Sequence, residues 1–200
     1  MLYTLDQHQL ARLLLPLGDL KKEDVRSIAE RNGLVNARKR ESQDICFIPD
    51  GDYAAFLERE GISSAPGDFL DQDGLKVGEH RGIIRYTIGQ RKGLGLAMGQ
   101  PVYVTHIDVS KNTVSVGPKS SLCTKEFWVD DITWTLGPAP NASVIAEVRM
   151  HYHAHCVPAR STPHGETACV EPLEPLYAVA PGQAAVFYHD DEVLGGGTIR

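Results

Sequence analysis

Cys46 is the side chain from which chemistry is first expected. It sits in ESQDICFIPDG, residues 41–51, just downstream of Arg38, Lys39 and Arg40. A thiol is a nucleophile only as the thiolate, which nearby cations favour. The carboxylates of Glu41 and Asp44 act against that form. Ile45, Phe47 and Ile48 flank the cysteine, which also suits a small buried hydrophobe in a strand. Residue spacing leaves both readings open.

A second candidate is Tyr86–Gly99, YTIGQRKGLGLAMG. Its glycines permit backbone turns that other residues resist. Arg91 and Lys92 are suited to phosphates, as are exposed backbone N–H groups. The spacing is not GxGxxG, so a dinucleotide site is not supported. A plain turn between strands is the competing reading. A third candidate is MHYHAHCVPAR, where His151, His153 and His155 alternate and would share one face of a strand. Imidazoles so placed suit zinc, but Cys156 would face the other way and no second cysteine stands at ligand spacing. No metal site is therefore expected, and polar residues on an exposed strand are the better reading. His80, in GEHRG, is read as a satisfied structural histidine.

The elements that must carry these residues change character along the chain. Leu10, Leu13, Leu14 and Leu17 recur at helical spacing and predict a helix over residues 4–15, capped by Thr4 or Asp6. A second helix is predicted over 21–32, ended by Asn32-Gly33, and a short third over 52–60, ended by Gly61. Beyond it, short β-like runs alternate with turns. Asp73-Gly74 predicts a hairpin between Phe69-Leu70 and Leu75–Val77. Ile83–Ile88 predicts a strand, and Val102–Asp108 with Thr113–Val116 a second hairpin. Further strands are predicted at 127–134, 143–151, 155–160, 166–170, 184–188 and 192–199. Such closely spaced strands without helices between them predict a small antiparallel barrel.

Composition narrows the class. The 200 residues suit one large domain or two small ones, and 42% hydrophobic with 23% charged residues is ordinary for a globular protein. No apolar run approaches the about 20 residues of a membrane span, so no membrane partner is expected. Cys46, Cys123, Cys156 and Cys169 form no CxxC pair, which makes a reducing cytoplasm the expected location. The net charge of −6 runs against a nucleic-acid partner, yet Arg38–Arg40 and Arg81, Arg85, Arg91 and Lys92 cluster in sequence.

The wording of the chain resembles a known family. SQDICFI, PDGDYAAFL, PGDF, GEHRGIIRYTIGQRKGLG, PVYV, PGQAAVFY and LGGG occur in this order from one end to the other. Together they resemble the tRNA-specific 2-thiouridylases, the MnmA/TrmU type. The resemblance implies a mainly β fold with a short N-terminal helical remnant, a central β-rich linker domain and a C-terminal antiparallel β-barrel like the second domain of elongation factor Tu. The boundaries implied are 1–49 for the remnant of the catalytic ATP-pyrophosphatase domain, 50–118 and 119–200. The family's SGGVDSS-type phosphate loop and first catalytic cysteine are not in this sequence, so the chain reads as the C-terminal part of a longer enzyme.

The resemblance further implies roles for single residues. Cys46 would carry a persulfide sulfur, with Gln43 and Asp44 supporting its loop. His151, Tyr152 and Gln183 would contact tRNA, beside Arg91 and Lys92. The family usually has an RYR-like triplet where this chain has His151-Tyr152-His153. Tyr152 keeps a ring for stacking, whereas a mostly neutral imidazole at His151 would hold phosphate more weakly. Cys123 and Cys169 match no catalytic position and are read as structural. ATP and Mg would be bound by the absent domain. The partners implied are tRNA and a cysteine desulfurase or sulfur-relay protein, not DNA. A stand-alone RNA-binding or assembly module with an incidental cysteine is the alternative. Without the absent domain, Leu10, Leu13, Leu14 and Val25 would expose apolar surface, which predicts disorder or self-association at the N-terminus.

Overall fold

The computed structural model describes residues 2–39, 48, 52–150 and 154–200. Its N-terminal part is helical and short. A 3-10 turn at Leu2–Thr4 leads into α1, Gln7–Leu10. Asp6 caps α1: its carboxylate accepts the Gln9 N–H at 2.8 Å, and the Gln9 side chain accepts the Asp6 N–H at 3.0 Å. The helix predicted over residues 4–15 therefore stops at Leu10. No residue of α1 is buried, so no packed face rewards extension, and Pro16 restricts Leu15 before it. Helix α2, Lys22–Arg31, lies within its expected bounds. It ends in a Schellman motif, with Gly33 at φ 67° and the Leu34 N–H reaching the Ala29 carbonyl at 3.0 Å. Helix α3, Tyr53–Arg59, begins at Asp52, whose side chain accepts the Ala55 N–H, and ends at Gly61.

The strands build two units. Strands β1 (Gly67–Leu70), β2 (Lys76–His80), β3 (Tyr103–Asp108) and β4 (Thr113–Gly117) form a sheet of order β2-β1-β4-β3. The two hairpins are antiparallel, and β1 runs parallel to β4 where they join. Phe69, Leu94, Val102, Val104, Val114 and Val116 make the core under this sheet. The strand expected at Ile83–Ile88 is instead a 3-10 turn, Ile83–Arg85, entered through Gly82 at φ 112°. Its apolar residues are spent on packing rather than pairing: Ile83 and Tyr86 rest on that core.

The remaining strands are β5 (Cys123–Thr124), β6 (Phe127–Trp134), β7 (Val144–Arg149), β8 (Val157–His164), β9 (Thr167–Pro172), β10 (Leu176–Tyr177), β11 (Ala184–His189) and β12 (Glu192–Ile199). Six of them close a barrel in the order β11-β12-β6-β9-β8-β7, while β5 pairs with β10 beside it. Alternate residues point inward, so Phe127, Val129, Val148, Ala159, Val170, Phe187 and Ile199 fill the interior. The mainly β fold with a closed antiparallel barrel agrees with the sequence reading. Strand β8 is longer than the expected 155–160 and takes in Pro163. Both its prolines fall where it has one ladder neighbour. Pro158 precedes the β8–β9 register, which starts at Ala159↔Pro172, and Pro163 follows the β7–β8 register, which ends at Val144↔Ser161. A missing N–H is tolerated at such positions.

The start of the N-terminal segment rests on this barrel. Tyr3 lies against Gly196, and the Gln7 side chain donates to the Thr135 carbonyl at 2.7 Å. Of the residues expected to expose apolar surface, Leu13 and Leu14 face solvent while Leu10 and Val25 are half-buried; Leu15 and Leu17 are exposed as well. Among the described residues no helix is long and apolar enough to cross a membrane.

Candidate nucleic-acid interface

The glycine-rich segment after Tyr86 is a folded loop clamped to the first sheet. The Gly89 N–H donates to the Val104 carbonyl at 2.8 Å, and the Val104 N–H to the Gln90 carbonyl at 2.9 Å. The Gln90 side chain braces the turn from within: it accepts the Thr87 N–H at 3.1 Å and donates to the Lys92 carbonyl at 3.0 Å. Tyr86 anchors one end edge-on to Phe69, with ring centroids 5.2 Å apart. Leu94 anchors the other end inside the core. With Gln90 and Leu94 turned inward, Arg91 and Lys92 are left at the exposed tip. Among the described residues neither side chain has an ion-pair or hydrogen-bond partner.

That separates them from Arg85 and Arg38, though among the described residues the side chains of Arg81 and Lys39 are likewise without an ion-pair partner. Arg85 is neutralised by Glu58 at 2.6 Å, and Arg38 by Glu30 at 2.9 Å. His80 is withdrawn altogether. It is 1% exposed, its Nδ1 accepts the Gly82 N–H at 3.1 Å, and its Nε2 therefore donates to the Asn112 carbonyl at 3.0 Å. It is the structural histidine that the sequence suggested.

The same loop touches the barrel unit. Gly89 has φ 85°, and a Cβ placed on it would lie 2.7 Å from the Ala178 Cβ. Ala178 is itself at φ 58°, held there by its N–H to the Leu122 carbonyl at 3.1 Å. Beside it the β5–β10 pair sets Tyr177 under Lys119, whose Nζ is 4.6 Å from the ring centroid. Sequence reading missed this joint because no local pattern marks two residues so far apart in the chain. The segment after Ala178 leads to Gln183. Its backbone is pinned: its carbonyl accepts the Ile199 N–H at 2.7 Å, and Gly182 donates to the Ile199 carbonyl at 2.8 Å. Among the described residues the half-buried Gln183 amide makes no hydrogen bond, so both its donor and its acceptor are available.

Cys46, Gln43, Asp44, His151 and Tyr152 lie outside the described residues. Cys123, Cys156 and Cys169 are free thiols. The Cys169 thiol is pushed up by burial and by the neighbouring Glu126 and Glu171, which makes it a poor nucleophile. Cys123 is exposed rather than packed in a core. The first turn of α2 carries Glu23 and Asp24, which repel phosphate, and Asp52 already occupies an N–H at the start of α3. Among the described residues no cluster of three or more His, Cys, Asp or Glu could hold a metal ion.

Comparison with known proteins matches three family descriptions in chain order. Residues 1–50 match the tRNA methyl transferase HUP domain, 54–118 the tRNA methyl transferase PRC-barrel domain, and 124–199 the aminomethyltransferase beta-barrel domain. The closed barrel and the order of these matches together define a multidomain protein of the class whose parts match tRNA methyl transferase domain descriptions. The chain belongs to the MnmA/TrmU family. It is 48% identical over 202 residues to the tRNA-specific 2-thiouridylase MnmA of Roseiflexus sp. (strain RS-1), covering 100% of this chain and 54% of that protein. It is 46% identical to the protein of that name from Geobacter metallireducens, covering 99% of this chain and 54% of the relative. The Chloroflexus aurantiacus protein is 45% identical, with 100% of this chain and 56% of the relative covered. The chain thus spans about half the length of the relatives it matches.

Proposed function

We propose that this chain takes part in replacing the 2-oxygen of the wobble uridine of tRNA with sulfur, as a tRNA-uridine 2-sulfurtransferase. In this reading Cys46 carries the sulfur as a persulfide, and the barrel with the Arg91-Lys92 loop holds the RNA. The observation that carries the RNA-binding half is the joint between loop and barrel. It sets the loop that bears two cations unneutralised among the described residues against Ala178, in the segment that leads on to Gln183 with its unpaired amide. Cations place a phosphate backbone, and an amide reads base edges. The sulfur half rests on Cys46 standing in SQDICF within a chain matched over its whole length by relatives named as 2-thiouridylases.

The division of labour follows from the chemistry. A carbonyl oxygen is a poor leaving group, and its activation by ATP with Mg is assigned to the SGGVDSS-type domain of the family, whose phosphate loop is not among these 200 residues. Cys46 accepts sulfur from a cysteine desulfurase or sulfur-relay protein. It then gives up the outer sulfur to the activated carbon. The remaining sulfur pairs with a second thiol as a disulfide, whether that thiol attacks first or afterwards. Gln43 and Asp44 support the Cys46 loop, and His151 and Tyr152 extend the RNA contact on the barrel. Tyr152 stacks on a base, and His151 holds phosphate more weakly than an arginine would. The setting is the cytoplasm, with neither membrane nor DNA as partner.

Mass spectrometry of the chain after incubation with a cysteine desulfurase and cysteine tests this. One added sulfur atom on the Cys46 peptide, absent from Cys46→Ala, is the expected result. Sulfur distributed over Cys123 and Cys156 with Cys46 unmodified would leave an RNA-binding module without the transfer chemistry.

A further inference from the structure

The loop that carries Arg91 and Lys92 and the segment that carries Gln183 belong to different units, and they meet at one methyl group. Among the described residues, the non-glycine positions with positive φ are Asn112, Asp131, Ala178 and Asp190. Asn and Asp tolerate that region because a short polar side chain bonds the backbone locally. Ala178, at φ 58°, has no such side chain, and glycine would sit there with less strain. What glycine lacks is the methyl. That methyl fills the space over Gly89, where an added Cβ would come within 2.7 Å of it. Gly89 is itself at φ 85°. The contact therefore joins two left-handed residues and has room for one methyl, not two.

Both sides of the contact are held. The Gly89 N–H is bonded to the Val104 carbonyl, and the Gln90 carbonyl accepts the Val104 N–H, so the two residues before Arg91 are fixed to β3. The Ala178 N–H reaches the carbonyl of Leu122, which is buried. From Ala178 the chain runs through Val179, packed on the barrel core, and Ala180, also buried. The Gln183 N–H then returns to the Ala180 carbonyl at 3.3 Å. Each path from the contact to a polar group at the surface is short and tied by bonds or packing.

The geometry points to Ala178 as a positioning residue. Its methyl, seated on Gly89, holds the basic loop and Gln183 at a fixed separation, so that one RNA meets both as a single site. The contact stands on geometry alone; its part in RNA binding rests on the function proposed above. The gain is that of linked contacts. Once Arg91 and Lys92 hold phosphate, a base at Gln183 requires no further ordering of the protein, and the second contact forms as if at raised concentration. A loose joint would leave the two contacts independent. Strain kept at a residue that glycine would relieve is consistent with such a role.

Filter binding of a tRNA with an unmodified wobble uridine to the whole chain tests this. The cycle comprises Arg91→Ala/Lys92→Ala, Gln183→Ala and their combination. It is run in wild type, Ala178→Gly, Gly89→Ala and the exchanged pair Gly89→Ala/Ala178→Gly. In the wild-type background the combined loss of affinity should be about fivefold smaller than the product of the separate losses. Ala178→Gly leaves no methyl in the contact and Gly89→Ala puts two there, so in each the factor should fall to about one. The exchanged pair again has one methyl and should recover most of the factor. Stability should follow a different order. Ala178→Gly should leave the urea midpoint nearly unchanged, because relief of the backbone offsets the lost methyl, whereas the exchanged pair should lower it. A factor of one in wild type, or one unchanged in Ala178→Gly, would overturn the positioning role. So would a factor that follows the urea midpoint through all four backgrounds. Unchanged affinity in both single arms of the cycle would overturn the RNA-binding reading instead. Amide exchange at Gly89 and Gln90 then reads the contact by itself: it should rise about tenfold in Ala178→Gly, and unchanged exchange would overturn the contact as well.

Discussion

Asp108 shows how one side chain closes a hairpin. At the end of β3 its carboxylate accepts the Ser110 hydroxyl at 2.6 Å and the Lys111 N–H at 3.0 Å. These bonds favour the charged form and lower its pKa from 3.8 to about 2, the Ser110 bond contributing most. A depressed carboxylate stabilises the fold fully above its unfolded pKa and loses that contribution as pH falls through the folded one. Asp108→Asn should therefore be less stable than wild type in urea at neutral pH, with the gap closing between pH 3.8 and about 2. A gap that stays constant over that window would show the charge to be irrelevant. At this scale the sequence was legible for residues whose role is local, such as Asp6, one of the two caps offered for the first helix. It was legible in part for His80, whose Nδ1 partner Gly82 is two residues away, while its Nε2 partner, the Asn112 carbonyl, is 32 residues away. It was not legible for Tyr3 or Gln7, whose partners lie across the chain.

Elements were readable where burial alternates with the pleat. Strands β6 and β11 lie within a residue of their expected bounds, and buried residues alternate with less buried ones along β11 and the first half of β6. The reading failed where apolar residues pack without pairing, as at Ile83–Arg85, and where helical spacing had no face to bury, as beyond Leu10. The basic loop depends on both its shape and its neighbour, and two glycines separate these. Gly95, at φ 70°, has nothing within 4 Å of its Cβ position, whereas Gly89 has Ala178 at 2.7 Å. Gly95→Ala should cost only the backbone conformation, about 1–2 kcal/mol. Gly89→Ala should cost about 1–3 kcal/mol more, because the joint must also give way. Urea unfolding of both variants checks this, and equal losses would mean that the Gly89–Ala178 contact is not stabilising.

Over the whole molecule, a net charge of −6 must be reconciled with binding of a polyanion. The reconciliation is local: Arg38 and Arg85 are spent on carboxylates, while Arg91 and Lys92 are not. Cations free to meet phosphates displace the counterions condensed on the RNA. Arg91→Ala/Lys92→Ala should therefore lower the slope of log affinity against log salt by about 1.5. Arg85→Ala should leave the slope nearly unchanged. Filter binding of tRNA over a range of salt measures both, and an unchanged slope in the double variant would remove the loop from the interface.

The sequence by itself determined the local chemistry: the family wording around Cys46, the caps, the turn residues, and the alternation that makes a barrel. These follow from interactions within a few residues, which a linear pattern records. Only the tertiary structure decided which cations stay free, which glycine receives a ring, and that the start of the N-terminal segment rests on the barrel. Those outcomes depend on groups brought together across more than a hundred residues, as Tyr3 and Thr135 are, and no periodicity in the chain encodes such a meeting.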